Sequence, residues 1–120
     1  MDTQSIRELC LQYLHKYAEK DLSSMEKMFA DDIVLRDWKI RVEGKEMALQ
    51  ETQKNFLSAK TISIEVLETH VAGNTVAAEL KITVDESEVL YVVDIIGFND
   101  EGRISFIRAY IGRGDSEEPQ

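Results

Sequence analysis

The sequence predicts an α+β fold in which an antiparallel sheet is covered by helices on one face. Two observations carry this. Three segments with helical periodicity fall in the first 58 residues, interrupted by one strand, and the rest of the chain alternates strands with tight turns. Grouped helices followed by a meander give α+β architecture, and consecutive strands joined by short turns pair antiparallel. A strongly curved sheet wrapped around a long N-terminal helix would form a cone with an open mouth.

The first helix shows Ile6, Leu9, Cys10, Tyr13, Leu14 and Tyr17 at i, i+3, i+4, i+7, i+8 and i+11, one apolar face. Ser5 and Glu8 have capping-box spacing, and the apolar face ends near Lys20. Asp21 reads as the N-cap of a short second helix with Leu22, Met25, Met28 and Phe29 inward, broken at Ala30-Asp31-Asp32. Residues 33–38 read as a strand whose Ile33, Leu35 and Asp37 share a face. Ile40 and Val42 extend it toward Gly44. The third helix covers 45–58, with Met47, Ala48, Leu49, Thr52 and Phe56 inward.

In the second half, Ile62, Ile64 and Val66 alternate with polar residues, and Ala72-Gly73-Asn74-Thr75 reads as a hairpin turn. Val76 to Val84 is a half-exposed strand, Asp85–Glu88 a turn, and Val89–Phe98 a long apolar strand. Asn99-Asp100-Glu101-Gly102 is a turn before the last strand, Arg103–Gly112.

The chain has 120 residues and 13.7 kDa, the size of one domain, here residues 1–114 followed by an acidic tail, 115–120, expected to be disordered. It has 14 Lys+Arg against 23 Asp+Glu, a net charge of −9. Residues 1–60 hold 10 basic and 11 acidic groups; residues 61–120 hold 4 and 12. This balance argues against a nucleic-acid partner and against anionic membrane surfaces. The single cysteine, the acid at position 2 and the lack of a long apolar run point to a cytoplasmic protein without a signal or membrane span.

Among the acids, Asp94 lies on a strand face with Leu90, Val92, Ile96 and Phe98. Burial there penalises the charged form, so its pKa should rise. Asp37 ends an inward strand face, where a rim carboxylate can serve as a general base. Tyr13 lies mid-stripe on the first helix, and a buried phenol needs a partner for its hydroxyl. Each residue also has an ordinary reading: a satisfied buried Asp, a turn-capping Asp before Lys39, a packing tyrosine. Tyr17 is a similar but weaker candidate. His15 and His70 are not placed together, so no metal site is expected. Cys10, Met25, Met28 and Met47 read as core.

Gln12-Tyr13, Asp21-Leu22, Phe29-Ala30-Asp31-Asp32 and Asp37 resemble the N-terminal half of bacterial ketosteroid isomerases. These belong to the nuclear transport factor 2-like superfamily together with the SnoaL-like cyclases. Gly44 with the helix after it, Asp94, Phe98-Asn99, Gly102, Arg108-Ala109 and Gly112 resemble the rest of that pattern. The resemblance implies the cone-shaped fold and a cofactor-independent isomerisation of a small hydrophobic ketone or steroid-like ligand through an enolate. By this resemblance Tyr13 would be an oxyanion donor, Asp37 the proton-shuttling base, and Asp94 a protonated second donor, the arrangement of the ketosteroid isomerases. Phe29, Trp38, Phe56, Val92 and Ile96 would contact the substrate. Alternatives are a SnoaL-like cyclase or hydrolase needing only one acidic residue, and a non-catalytic ligand-binding or dimerisation module of the same fold. The chain differs from the isomerases at Trp38, commonly proline there, and at Thr52, where a tyrosine often supports the oxyanion tyrosine. A homodimer is implied by the resemblance and by the two-sided apolar pattern of ISFIRAYI in the last strand.

Overall fold

A computed structural model of the chain describes residues 1–115; the expected tail beyond Asp115 lies outside the described residues. Three helices, α1 (Thr3–Ala18), α2 (Leu22–Met28) and α3 (Lys45–Ser58), pack on six strands. The strands are β1 (Phe29–Arg36), β2 (Arg41–Glu43), β3 (Ile62–Ala72), β4 (Thr75–Val84), β5 (Glu88–Phe98) and β6 (Ile104–Gly112). They form one curved, unclosed sheet in the order β2-β1-β6-β5-β4-β3.

Four of the five pairings are antiparallel, and β1 runs parallel to β6. The all-antiparallel expectation therefore fails at this one seam. No hairpin links β1 to β6; the chain between them makes α3 and four strands, so turn geometry does not impose a direction.

α1 begins earlier than the Ser5–Glu8 spacing suggested. Its N-cap is Asp2, whose carboxylate accepts from the Ser5 amide at 2.8 Å. Asp21 caps α2 as expected, accepting from the Ser24 amide and hydroxyl. Between the two helices, Lys20 adopts a left-handed φ of 59° and its Nζ donates to the Ala59 carbonyl, which ties the end of α1 to the end of α3.

The second helix stops at Met28, and Phe29 already belongs to β1. The strand thus starts four residues before Ile33, with Ala30-Asp31-Asp32 inside it. Phe29 is still fully buried, because its side chain turns into the core from the strand. On α3 the buried line is Ala48, Thr52 and Phe56, one turn apart. Met47 precedes that line by one position, is rotated to the outside, and is 43% exposed rather than core.

The core lies between α1, α2, α3 and the concave face of the sheet. Ile6, Cys10, Tyr13 and Leu14 of α1 meet Val76, Ala78 and Leu80 of β4, Ile96 of β5, and Ile104 and Ile107 of β6. The β3–β4 connection is the two-residue turn Gly73-Asn74, with Gly73 at φ 59°. Among the described residues, no helix is long and apolar enough to cross a membrane.

Candidate functional site

A cavity of about 340 Å³ opens between α1, α3, the β1–β2 turn and the concave face of β3–β6. Tyr13, Asp37 and Asp94 all line it, as do Trp38 and Val92. Helical phase, strand alternation and a turn on three separate elements therefore converge on one space.

Asp94 is placed by the register of β5. Its cross-strand neighbours are Ala78 on β4 and Ala109 on β6. Of these two small neighbours, Ala109 lines the cavity beside the carboxyl and Ala78 is fully buried in the core. Asp94 keeps some accessible surface, but this surface opens into the cavity and the carboxyl is surrounded by protein. Desolvation first, and the negative charge of Asp37 second, push its pKa up to about 7. Among the described residues its carboxyl has no hydrogen-bond partner, and neither has the Tyr13 hydroxyl.

Tyr13 is 5% exposed. Burial, then the charge of Asp94, hold its phenol well above the usual tyrosine range. Its ring leans on Tyr17 at 5.9 Å and Phe29 at 6.4 Å between centroids. Cys10, behind it, is raised to about 12 by burial and Asp94. Near neutral pH Tyr13 is thus a neutral phenol and Asp94 is close to its midpoint, with a large share of its carboxyls protonated.

Asp37 follows β1 and turns the chain into β2. Its Oδ1 accepts from the amides of Lys39 and Ile40 at 2.7 and 2.9 Å, and its own amide donates to the Ile40 carbonyl at 2.9 Å. This is the turn-capping arrangement, and it coexists with a place on the cavity wall. Oδ2 has no protein partner among the described residues. The two backbone amides fix the carboxylate while leaving one oxygen for a ligand.

Phe29, Phe56 and Ile96 do not line the cavity. Phe29 and Ile96 are fully buried and Phe56 is 5% exposed, so they back the cavity without touching its contents. Phe56 meets the ring of Tyr17 edge-on at 4.9 Å. The phases of these three side chains point inward, into the core cluster and not into the open space.

Two wall residues carry more than the sequence suggested. Tyr17 lines the cavity one turn beyond Tyr13, and its hydroxyl accepts from the Asn55 amide at 3.2 Å. Burial raises the Tyr17 phenol, and the Asn55 hydrogen bond opposes that rise. Asn55 carries no apolar periodicity, so only its position on α3 opposite α1 marks it. Thr52 spends its hydroxyl on the Ala48 carbonyl of its own helix at 2.8 Å. Hydrogen-bonded support is thus found on Tyr17 instead of Tyr13.

The two histidines are far from the cavity lining. His15 pairs with Glu19, and His70 with Glu68. Glu68, His70 and Glu79 form one solvent-exposed trio of metal-ligand types on β3 and β4, with ligand atoms within 4.8 Å of one another.

Comparison with known proteins agrees with this architecture. A family model described as "SnoaL-like domain" matches residues 11–107. No curated protein matches the chain in sequence. A solved structure named "putative ketosteroid isomerase", from Kribbella flavida, superposes with a TM-score of 0.82 at 18% identity, covering 99% of this chain and 86% of that one. The epoxide hydrolase/cyclase-like enzyme SalBIII, linked to pyran ring formation in the polyether salinomycin, gives 0.81 at 22% identity over 92% and 93%. An NTF2-like protein of unknown function from Cytophaga hutchinsonii gives 0.75 at 17% identity, covering 89% of each. At these identities the structural likeness establishes the fold.

Proposed function

Because the chain belongs to the SnoaL-like domain family, whose fold neighbours include proteins named as isomerases and cyclases, we propose that it is a cofactor-independent proton-transfer enzyme. In this reading it isomerises a small hydrophobic ketone through an enolate. The observation that carries the proposal is the pairing of a shielded carboxyl titrating near 7 and a buried phenol with a second, amide-held carboxylate, all on one largely aliphatic cavity.

The substrate carbonyl sits at the Asp94–Tyr13 end. Asp37 Oδ2 takes a proton from the carbon next to the carbonyl, and negative charge builds on the carbonyl oxygen. The O–H groups of protonated Asp94 and Tyr13 stabilise that charge more than they stabilise the neutral ketone, which is the condition for acceleration. Asp37 then returns the proton to another carbon. Leu35, Ile62, Ile82, Leu90 and Val92 supply an apolar wall, and Trp38 flanks Asp37. The cavity volume is near the lower end of the range for small-molecule sites, which fits a compact ligand.

Turnover of a β,γ-unsaturated ketosteroid, read as the absorbance of the conjugated enone, tests this. Wild-type protein should exceed the buffer rate, and Asp37→Asn should lose about 10²–10⁴-fold, the usual contribution of a general base. Asparagine retains a carbonyl oxygen for the Lys39 and Ile40 amides, so the turn is preserved. No rate above buffer would defeat the ketosteroid assignment.

A second reading is favoured by the commitment of Asp37 Oδ1 to the turn. In a cyclase or hydrolase of this family, Asp94 alone would move the proton. Asp37→Asn would then keep activity within a few-fold, while Asp94→Asn would abolish it.

We also infer that the chain pairs with a second copy through the outer sheet face. Leu67 and Tyr110, 47% and 45% exposed, share a shallow hollow there with Tyr91 and Val93.

A further inference from the structure

The Tyr17–Asn55 pair is not used by the proton transfer described above. The two residues belong to different helices, 38 positions apart, and meet at the wall of the same cavity. Asn55 Nδ2 donates to the Tyr17 hydroxyl oxygen at 3.2 Å. That contact occupies one lone pair of the phenol and one amide hydrogen. The Tyr17 hydroxyl hydrogen and Asn55 Oδ1 have no partner among the described residues. Exchanging the amide oxygen and nitrogen would leave the same complement, one donor and one acceptor, because phenol and amide each carry both functions.

Tyr17 is the fixed member of the pair, and Asn55 lies exposed on α3. The Tyr17 ring is held edge-on against Phe56 at 4.9 Å and against Tyr13 at 5.9 Å. It stands one helical turn from Tyr13 on the same face of α1, a rise of about 5.4 Å along the axis. The Tyr17–Asn55 pair is thus a polar place on the wall distinct from Tyr13 and Asp94; Asp37, Lys39, Glu51, Thr52, Ser58 and Glu88 are the other polar members of the lining, and the rest is mostly aliphatic.

We propose that Tyr17 and Asn55 form a second polar subsite that binds an alcohol hydroxyl of the ligand, so that the substrate is a hydroxyketone. The alcohol accepts from one member of the pair and donates to the other, which satisfies both open functions at once. Asn55 is exposed, so both functions are open to water in the free protein; a plain hydrocarbon edge laid over them would strip that water without replacing its hydrogen bonds, which opposes binding. The proposal rests on the reading of Tyr13 and Asp94 as the carbonyl-binding end.

Trp38 is the sole tryptophan, lines the cavity and is 43% exposed, so its fluorescence reports occupancy. The test titrates 2-decalone and 6-hydroxy-2-decalone against wild type, Tyr17→Phe and Asn55→Ala, with urea unfolding to verify that each variant is folded. Wild type should bind the hydroxyketone about tenfold more tightly than the ketone, the effect of one added hydrogen-bonding group. Each variant should bring that ratio to within about twofold while leaving 2-decalone affinity unchanged, a selective loss that a merely structural role would not produce. Equal affinities in wild type, no binding of either probe, or a preference that survives in both variants would overturn the subsite. The ratio needs no turnover, so it stands or falls separately from the enolate chemistry.

Discussion

Asp94 holds its proton far longer in the folded chain than in the unfolded one. Its carboxyl titrates near 7 when folded, against 3.8 for a solvated aspartate. Between those values the unfolded chain gives up a proton that the folded chain retains, so rising pH favours unfolding. This contribution to stability is complete below about pH 4, is lost progressively up to about pH 7, and does not change above it. Asp94→Asn removes the titration. In urea unfolding at pH 8 the variant should be more stable than wild type by on the order of 3 kcal/mol, and the difference should shrink toward zero at pH 3. Parallel pH–stability curves for the two proteins would show that the carboxyl is not shielded. Apolar neighbours along β5 already signalled this shielding. The alanine on β6 did not signal itself, because Ala109 becomes part of the cavity wall only once register brings it beside Asp94.

At the scale of elements, periodicity located all three helices and the four strands of the second half to within a few residues. Errors fell at junctions. Ser5 and Asp2 both have side chains able to cap, and the spacing of Ser5 with Glu8 favoured the wrong one. The α2–β1 junction moved because Phe29 satisfies a helical stripe and an inward strand position equally well. The close approach of Gly97 on β5 to Phe106 on β6 was also hidden. These residues are register partners, and a Cβ on Gly97 would clash with the Cε2–Cζ–Cδ2 edge of the Phe106 ring. The ring is further held by the Arg108 guanidinium, 4.2 Å above it. Gly97→Ala should therefore destabilise the protein by about 1–3 kcal/mol, the usual cost of overpacking, read as a lower midpoint in urea. An unchanged midpoint would mean that Phe106 moves freely aside.

For the whole molecule, the curved sheet presents two faces with different fates. Its concave face is filled by the helices and the cavity. Its outer face keeps Leu67 and Tyr110 47% and 45% exposed, and on these two the proposed pairing with a second copy rests. Sedimentation equilibrium should give twice the 13.7 kDa chain mass, and Leu67→Glu with Tyr110→Glu should shift it to the monomer. A wild-type monomer at all concentrations would remove the dimer from the account. The acid excess noted in the sequence is borne by exposed positions such as Glu65, Glu79, Glu86 and Glu88.

Local sequence determined much of which side chains point inward, since the 3.6- and 2-residue periods place Tyr13 and Asp94 on interior faces without reference to anything distant, whereas Asp37 lies past the end of β1 and is placed by its turn. It also determined that Asp94 would be costly to ionise. Tertiary structure alone decided how these groups are used. It set β1 parallel to β6, gave one oxygen of Asp37 to the Lys39 and Ile40 amides, excluded Phe29, Phe56 and Ile96 from the cavity wall, and joined Tyr17 to Asn55 across 38 residues. The reason is physical: a face is a property of the local backbone, whereas a hydrogen-bond partner and a depth of burial belong to whatever the rest of the chain packs beside it.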